Sequence, residues 1–244
     1  MTDLRDRIIL ITGAGDGIGR ETALHAAANG ATVILLGRTT GKLEEVFDQI
    51  VDAGHPEPGI VPMDLATAGV EETTELFDAL DQNYGRLDGL LHNASILGDR
   101  VPVEQYQPVQ WQSVMQVNLN ATFLLTRILL PILQRSDDGR LIFTSSSVGT
   151  QPRAYWGAYA VSKYAVEGLA KLLTEELENT STIKVSTINP GATRTRMRAE
   201  AYPTEDPRDL KSPSDLMPLY MYLLGPDSQH EQGQYFDSSW QPPG

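Results

Sequence analysis

Tyr159 and Lys163 stand four residues apart in the run Gly157-Ala158-Tyr159-Ala160-Val161-Ser162-Lys163, so a helix through this segment puts the phenol and the ammonium on one face. A free phenol titrates near ~10, and a cation held beside it favours the phenolate. Bringing the phenol to around 7 takes roughly three units, or about 4 kcal/mol at ~1.36 kcal/mol per unit, which a lysine and a second positive group nearby can supply. A phenol so poised can take a proton from a reacting oxygen or give one to it. The spacing alone does not establish that chemistry, because Tyr and Lys at i, i+4 also recur on helices that perform none. The rest of the chain has to build a site around the pair.

The start of the chain reads as a strand, a glycine turn and a helix. Ile8-Ile9-Leu10-Ile11 is the short apolar run of a buried parallel strand, and Thr12-Gly13-Ala14-Gly15-Asp16-Gly17-Ile18-Gly19 follows directly. Helical pattern continues from Arg20 to Ala28 and stops at Asn29-Gly30. Glycines at such a turn let the backbone approach a pyrophosphate, whose charge suits the N-terminal end of the helix. The spacing of Gly13, Gly17 and Gly19 is not the usual G-x-G-x-x-G, so the turn by itself also reads as a plain strand-to-helix connection.

Taken together these residues resemble a short-chain dehydrogenase/reductase, and the resemblance covers nearly all of the chain. The family's turn, T-G-x-x-x-G-x-G, is matched from Thr12 to Gly19. Its catalytic Ser precedes its Tyr by 13 residues, and 159 − 146 = 13 selects Ser146 from Ser145-Ser146-Ser147. Its helix Asn is matched by Asn118, and its later Pro-Gly motif by Asn189-Pro190-Gly191-Ala192-Thr193-Arg194-Thr195. Within the family the finer likeness is to bacterial YciK-type oxidoreductases, carried by Ser145 to Gly149, Trp156 to Tyr159, Arg194 to Arg198 and Pro203 to Pro207.

The resemblance implies a doubly wound α/β fold with one parallel sheet of about seven strands, ordered 3-2-1-4-5-6-7, and a single domain over 1–244. It implies catalysis by Asn118, Ser146, Tyr159 and Lys163: Ser146 and Tyr159 serve the substrate oxygen, Lys163 binds the nicotinamide ribose, and Asn118 holds a water that passes protons to the lysine. A dinucleotide would be held by Gly13, Gly17, Ile18, Gly19, Arg38, Asp64, Leu65, Asn93, Ala94, Tyr159, Lys163, Pro190, Gly191, Thr193 and Thr195. NAD-preferring members usually end the second strand on an acid, but Gly37 and Arg38 stand here, so NADP(H) is expected and NAD(H) remains possible. Asp16 counts against this, because many NADP-binding relatives have a basic residue at that position. Where the family has N-N-A-G after its fourth strand, this chain has His92-Asn93-Ala94-Ser95. His92 reads as a structural substitution, with no second ligand at metal spacing.

Seven strands are predicted at 7–12, 32–37, 59–63, 88–92, 139–145, 183–189 and 234–237, with long helices near 108–135 and 157–179. Pro108 suits a first helical position and Pro131 should kink its helix. The stretch from Thr195 to Pro218 carries four prolines after the sixth strand, at the sheet edge where ligands bind, and reads as a lid over 195–218. Arg194, Arg196 and Arg198 open it, either paired with Glu200, Glu205 and Asp206 or drawing an anionic group. Tyr155 and Trp156 suggest apolar pocket walls, or packing.

The 244 residues include 19 basic and 32 acidic side chains, a formal charge of −13, and no cysteine. Thiol catalysis and a disulfide framework are excluded, and nucleic acid and anionic lipid are poor partners. No apolar stretch in the sequence approaches ~18 residues, so neither export nor a membrane span is expected, and the reading is cytoplasmic. The expected partner is a small carbonyl or alcohol substrate. A homodimer or homotetramer is expected through the two long helices, whose Phe123, Leu124, Ile128, Leu169 and Leu172 could serve interface or core. The competing function is a catalytically silent NAD(P)-sensing or scaffold protein of the same fold.

Overall fold

Alternation along the strands explains the layering. In β1 (Ile8–Thr12) the side chains of Ile9 and Ile11 pack to one face of the sheet, and those of Ile8 and Leu10 to the other. Strand β2 (Thr32–Gly37) divides likewise, Val33 and Leu35 against Ile34 and Leu36, so both faces are apolar and both must be covered by helices. Deleting one such side chain, as in Leu10→Ala, removes a fully buried group at a cost of about 2–5 kcal/mol.

The computed structural model describes residues 2–241, so Met1 and 242–244 of the expected 1–244 domain lie outside the described residues. With β3 (Gly59–Pro62), β4 (Gly89–His92), β5 (Arg140–Thr144), β6 (Lys184–Asn189) and β7 (Gln234–Asp237), the strands form one parallel sheet in the order β3-β2-β1-β4-β5-β6-β7. All seven strands and their order agree with the sequence reading. Helices α1 (Gly17–Ala28), α2 (Thr40–Asp52) and α8 (Met217–Leu224) contribute to one core, while α3 (Val70–Tyr84), α5 (Ala121–Leu133) and α6 (Gly157–Leu177) contribute to the other. Parallel strands all end at one edge, which is where the loops carrying the candidate residues gather.

Three local features differ from expectation. The long helix near 108–135 is continuous from Pro108 to Leu133, but α4 (Pro108–Met115) passes into α5 through a π-helical turn at Gln116–Asn120, where Ala121 N donates to Gln116 O. The ladder is therefore reorganised beside Asn118, with Pro131 lying in the last turn of α5. By length and composition this helix could cross a bilayer, against the expectation that no stretch would. Half of its apolar window is buried inside the protein, and Asn118, Thr122 and Thr126 are buried with it. The 195–218 stretch is more regular than its prolines suggested, carrying α7 (Arg196–Ala201) and two short 3₁₀ turns. Thr195 caps α7 by accepting from Arg198 N at 3.2 Å.

Candidate active site

Helix α6 carries Tyr159 and Lys163 on its inner face, and the sheet edge supplies the rest. Lys163 is buried, donates from Nζ to Thr144 O at the end of β5 (2.7 Å), and lies 5.5 Å from the centre of the Tyr159 ring. Two residues beyond β5, extended Ser146 turns the chain into a 3₁₀ turn, its Oγ accepting from Val148 N. Gly149 ends that turn against α6, where a Cβ would come within 3.0 Å of Lys163 Cβ. Only a residue without a side chain lets the helix approach so closely.

Burial, not the lysine, dominates the phenol in the free protein. Desolvation pushes Tyr159 up to about 12, with the Ser146 hydroxyl pulling the other way, and it pushes Lys163 down to about 8, with Glu167 one turn further on opposing. In the free protein the phenol is therefore a protonated acid at neutral pH, and the reading near 7 calls for a second positive group beside Lys163. The low-dielectric setting that brings the pair together also penalises both charged forms.

Asn118 is 2 % exposed and does not face the cleft. Its Oδ1 accepts from Ile96 N (2.8 Å), and its Nδ2 donates to Ile96 O and Ser162 Oγ (both 3.0 Å). Ser162 Oγ in turn donates to Tyr159 O (2.8 Å). The side-chain amide thus ties the loop after β4 to the backbone of the catalytic helix, and the Asn118 backbone carbonyl accepts from Thr122 Oγ1.

A cleft of about 860 Å³ runs across the sheet edge from the glycine turn to Tyr159. Gly13, Gly17, Ile18, Arg38, Asp64, Leu65, Asn93, Ala94, Pro190, Gly191, Thr193 and Thr195 all line it, with Ser146, Tyr159 and Lys163. Gly19 does not: a Cβ there would meet Gly13 O at 2.3 Å, so its part is the tight packing of turn on helix. Gly13 and Gly17 take positive φ (70° and 52°). Asp16 caps α1 through Gly17 N (2.8 Å). Thr12 Oγ1 accepts from Asn93 N and Ala94 N, pinning the two loops that face the cleft. Ser145 borders the cleft, but its Oγ is buried beside Gly149, without a hydrogen-bond partner among the described residues. A long cleft and a backbone cradle at a helix N-terminus fit an extended dinucleotide.

A short chain dehydrogenase family model matches residues 7–206. The oxidoreductase YciK of Escherichia coli (strain K12) is 54% identical over 235 residues, covering 96% of this chain and 92% of that one. The chain belongs to the short-chain dehydrogenase/reductase family. Among solved structures, a family member from Shigella flexneri 2a complexed with NADP superposes with a TM-score of 0.95 at 52% identity, covering 98% of this chain and 100% of that one. Another from E. coli CFT073 complexed with NADPH gives 0.93 at 53%, covering 98% of each.

Of the two departures from the family pattern, Ser95 lines the cleft and His92 is structural. His92 is 5 % exposed, stacks on Phe143 at 5.0 Å, and meets Thr126 Oγ1 through Nε2 at 2.8 Å. Because Thr126 spends its proton on Thr122 O, it accepts from His92 Nε2–H, and burial drives the imidazole down to about 3. It is a neutral core residue. Among the described residues no cluster suits a metal.

Two residues of the cleft, Lys42 and Arg100, became visible only in the fold. Lys42 on α2 pairs with Asp16, so the carboxylate that argued against a 2′-phosphate is offset, and both lie in the cleft with Arg38. Arg196 pairs with Glu200 and Arg198 with Glu205, which favours the solvated-pair reading of those arginines. Trp156 lines the cleft, whereas Tyr155 is 57 % exposed, at a φ of 71°, outside it. Arg100, from the loop after β4, also lines the cleft, and it belongs to no motif in the sequence.

Proposed function

We propose that this short-chain dehydrogenase/reductase is an NADPH-dependent carbonyl reductase, reversible as an alcohol dehydrogenase. The observation that carries the reading is a buried Tyr159 with Ser146 and Lys163 beside it, at one end of a cleft whose other end is a glycine cradle. Arg38 and the Asp16-paired Lys42 favour the 2′-phosphorylated dinucleotide, as do the relatives complexed with NADP and NADPH.

When bound, NADPH supplies the hydride. As the carbonyl oxygen gains negative charge, Tyr159 Oη transfers its proton to it and Ser146 Oγ donates a hydrogen bond to the same atom. The charged Lys163 stabilises the phenolate that remains, and solvent restores the proton. Asn118 works at one remove, by holding Ile96 and the backbone of α6 in register. We place the enzyme in the cytoplasm with a small carbonyl compound as substrate and neither nucleic acid nor membrane as partner. We further propose a homo-oligomer formed through the outer faces of α5 and α6, where Phe123, Val161, Tyr164 and Leu172 are exposed.

Purified protein with NADPH and a panel of aldehydes, ketones and quinones tests this. Oxidation of NADPH should occur and should fall by ~10²-fold or more in Tyr159→Phe, with NADPH binding retained. Tight NADPH binding without turnover of any compound would favour a dinucleotide sensor instead. Equal kcat/KM with NADH would remove the cofactor assignment.

A further inference from the structure

We infer that Arg100 is the substrate-recognition residue of the cleft and selects carbonyl compounds that carry a carboxylate; this rests on the carbonyl-reductase reading above. Around Tyr159 the wall is apolar, built from Leu97, Val148, Trp156 and Ala201 with Met197 and Tyr202 packed against them. Of the three arginines lining this end, Arg196 and Arg198 have carboxylate partners, and Arg100 has none among the described residues. Its guanidinium carbon sits 4.7 Å from the Trp156 ring and 4.9 Å from the Tyr202 ring, in a notch between two rings 6.0 Å apart and inclined at 46°. Trp156 in turn lies 5.7 Å from the Tyr159 ring, so the cation is one aromatic residue away from the proton donor.

Aromatic faces hold a guanidinium without using its N–H groups, which all lie in its plane. Nη1 donates to Ala201 O, anchoring the side chain to the end of α7. The remaining donors have no acceptor among the described residues, and the side chain borders the cleft. A fixed planar fork with free donors fits a carboxylate bidentately, and the weak hydration of arginine makes desolvation cheaper than for lysine. Two carboxylates of the protein border the same space, but Glu200 is taken by Arg196, and Asp99, though adjacent in sequence, makes no ion pair with Arg100. The substrate class that satisfies both the wall and the fork is an aldehyde or ketone with an apolar body ending in a carboxylate.

A matched pair of probes tests this: 4-carboxybenzaldehyde and methyl 4-formylbenzoate, which differ in the charge and in the ester methyl. The wild-type protein should prefer the acid, more at low salt than at high salt. Arg100→Met, which keeps an apolar side chain in the notch, should lower kcat/KM for the acid by about tenfold or more while changing the ester by less than about twofold. Arg100→Lys should recover only part of the loss. Equal losses on both probes would overturn the inference in favour of a prop for α7, and so would a wild-type preference for the ester. If neither aldehyde is reduced, the carbonyl-reductase reading fails for these probes. Fluorescence titration of the NADP-loaded protein with 4-(hydroxymethyl)benzoate then still decides the role of Arg100, about tenfold weaker binding in Arg100→Met supporting it and equal binding refuting it.

Discussion

Replacing Lys163 by methionine should abolish activity and yet stabilise the protein at neutral pH. Lys163 is buried, and desolvation lowers its pKa from the ordinary 10.5 to about 8. That difference corresponds to roughly 3 kcal/mol of folding free energy lost below pH 8, at ~1.36 kcal/mol per unit. Methionine removes the cost but also the bond from Nζ to Thr144 O, worth ~1 kcal/mol, so the net gain near pH 7 is about 2 kcal/mol. The sign follows from proton counting. Below about 8 the lysine is protonated in both states and the penalty is complete; between about 8 and 10.5 the unfolded chain holds a proton that the folded one has released, so wild-type stability rises with pH. Tyr159, whose pKa burial raises from 10.0 to about 12, opposes this only above about 10. Urea denaturation of wild type and variant at pH 7 and at pH 9.5 measures the effect, other titrating groups cancelling in the difference. The advantage of Lys163→Met should shrink by about 2 kcal/mol between the two pH values. A variant less stable than wild type at pH 7, or a gap independent of pH, would refute the reasoning.

Glu167 is buried, accepts from Thr187 Oγ1 at 3.2 Å, and supports the charge on Lys163; Glu167→Gln should therefore move the alkaline fall in kcat/KM for carbonyl reduction to lower pH, with Glu167→Asp lying between. An unchanged pH profile would leave Glu167 a packing residue only. Gly19→Ala would set a methyl 2.3 Å from Gly13 O, so NADPH titration should show affinity lost along with stability, the latter by about 1–3 kcal/mol. Phe123 and Leu172 are each at least half exposed, and light scattering should give a dimer or tetramer that Phe123→Lys with Leu172→Lys converts to monomer. A wild-type monomer at micromolar concentration would remove the proposed interface.

The strands and the Tyr-Lys pair were readable because each is a local pattern: a period of two in a doubly covered strand, a period of four on one helix face, a glycine turn between them. Properties set by the sum of surroundings were not readable in the same way. Spacing places Lys163 beside Tyr159, but in the free protein burial against the apolar wall raises the phenol, and no local pattern adds up that burial. Asn118 could be found by its place in the order of motifs, but its orientation away from the cleft depends on Ile96 and Ser162, 22 and 44 residues away.

The arginines show the same limit in reverse. Arg194, Arg196 and Arg198 are conspicuous in an acidic chain because they are close in sequence, yet α7 spaces Arg196 and Glu200 for an i, i+4 ion pair and the following turn returns Glu205 to Arg198. Arg100 is inconspicuous in sequence, and its environment comes from Trp156 and Tyr202, 56 and 102 positions further on (156 − 100 and 202 − 100). Closeness in sequence gives Arg196 and Arg198 their carboxylate partners, whereas the surroundings of Arg100 are assembled by topology. The contrast also separates the expected phenotypes. Neutralising Arg196 or Arg198 should chiefly disturb the local structure of the 195–218 segment, whereas neutralising Arg100 should change which substrates the cleft accepts.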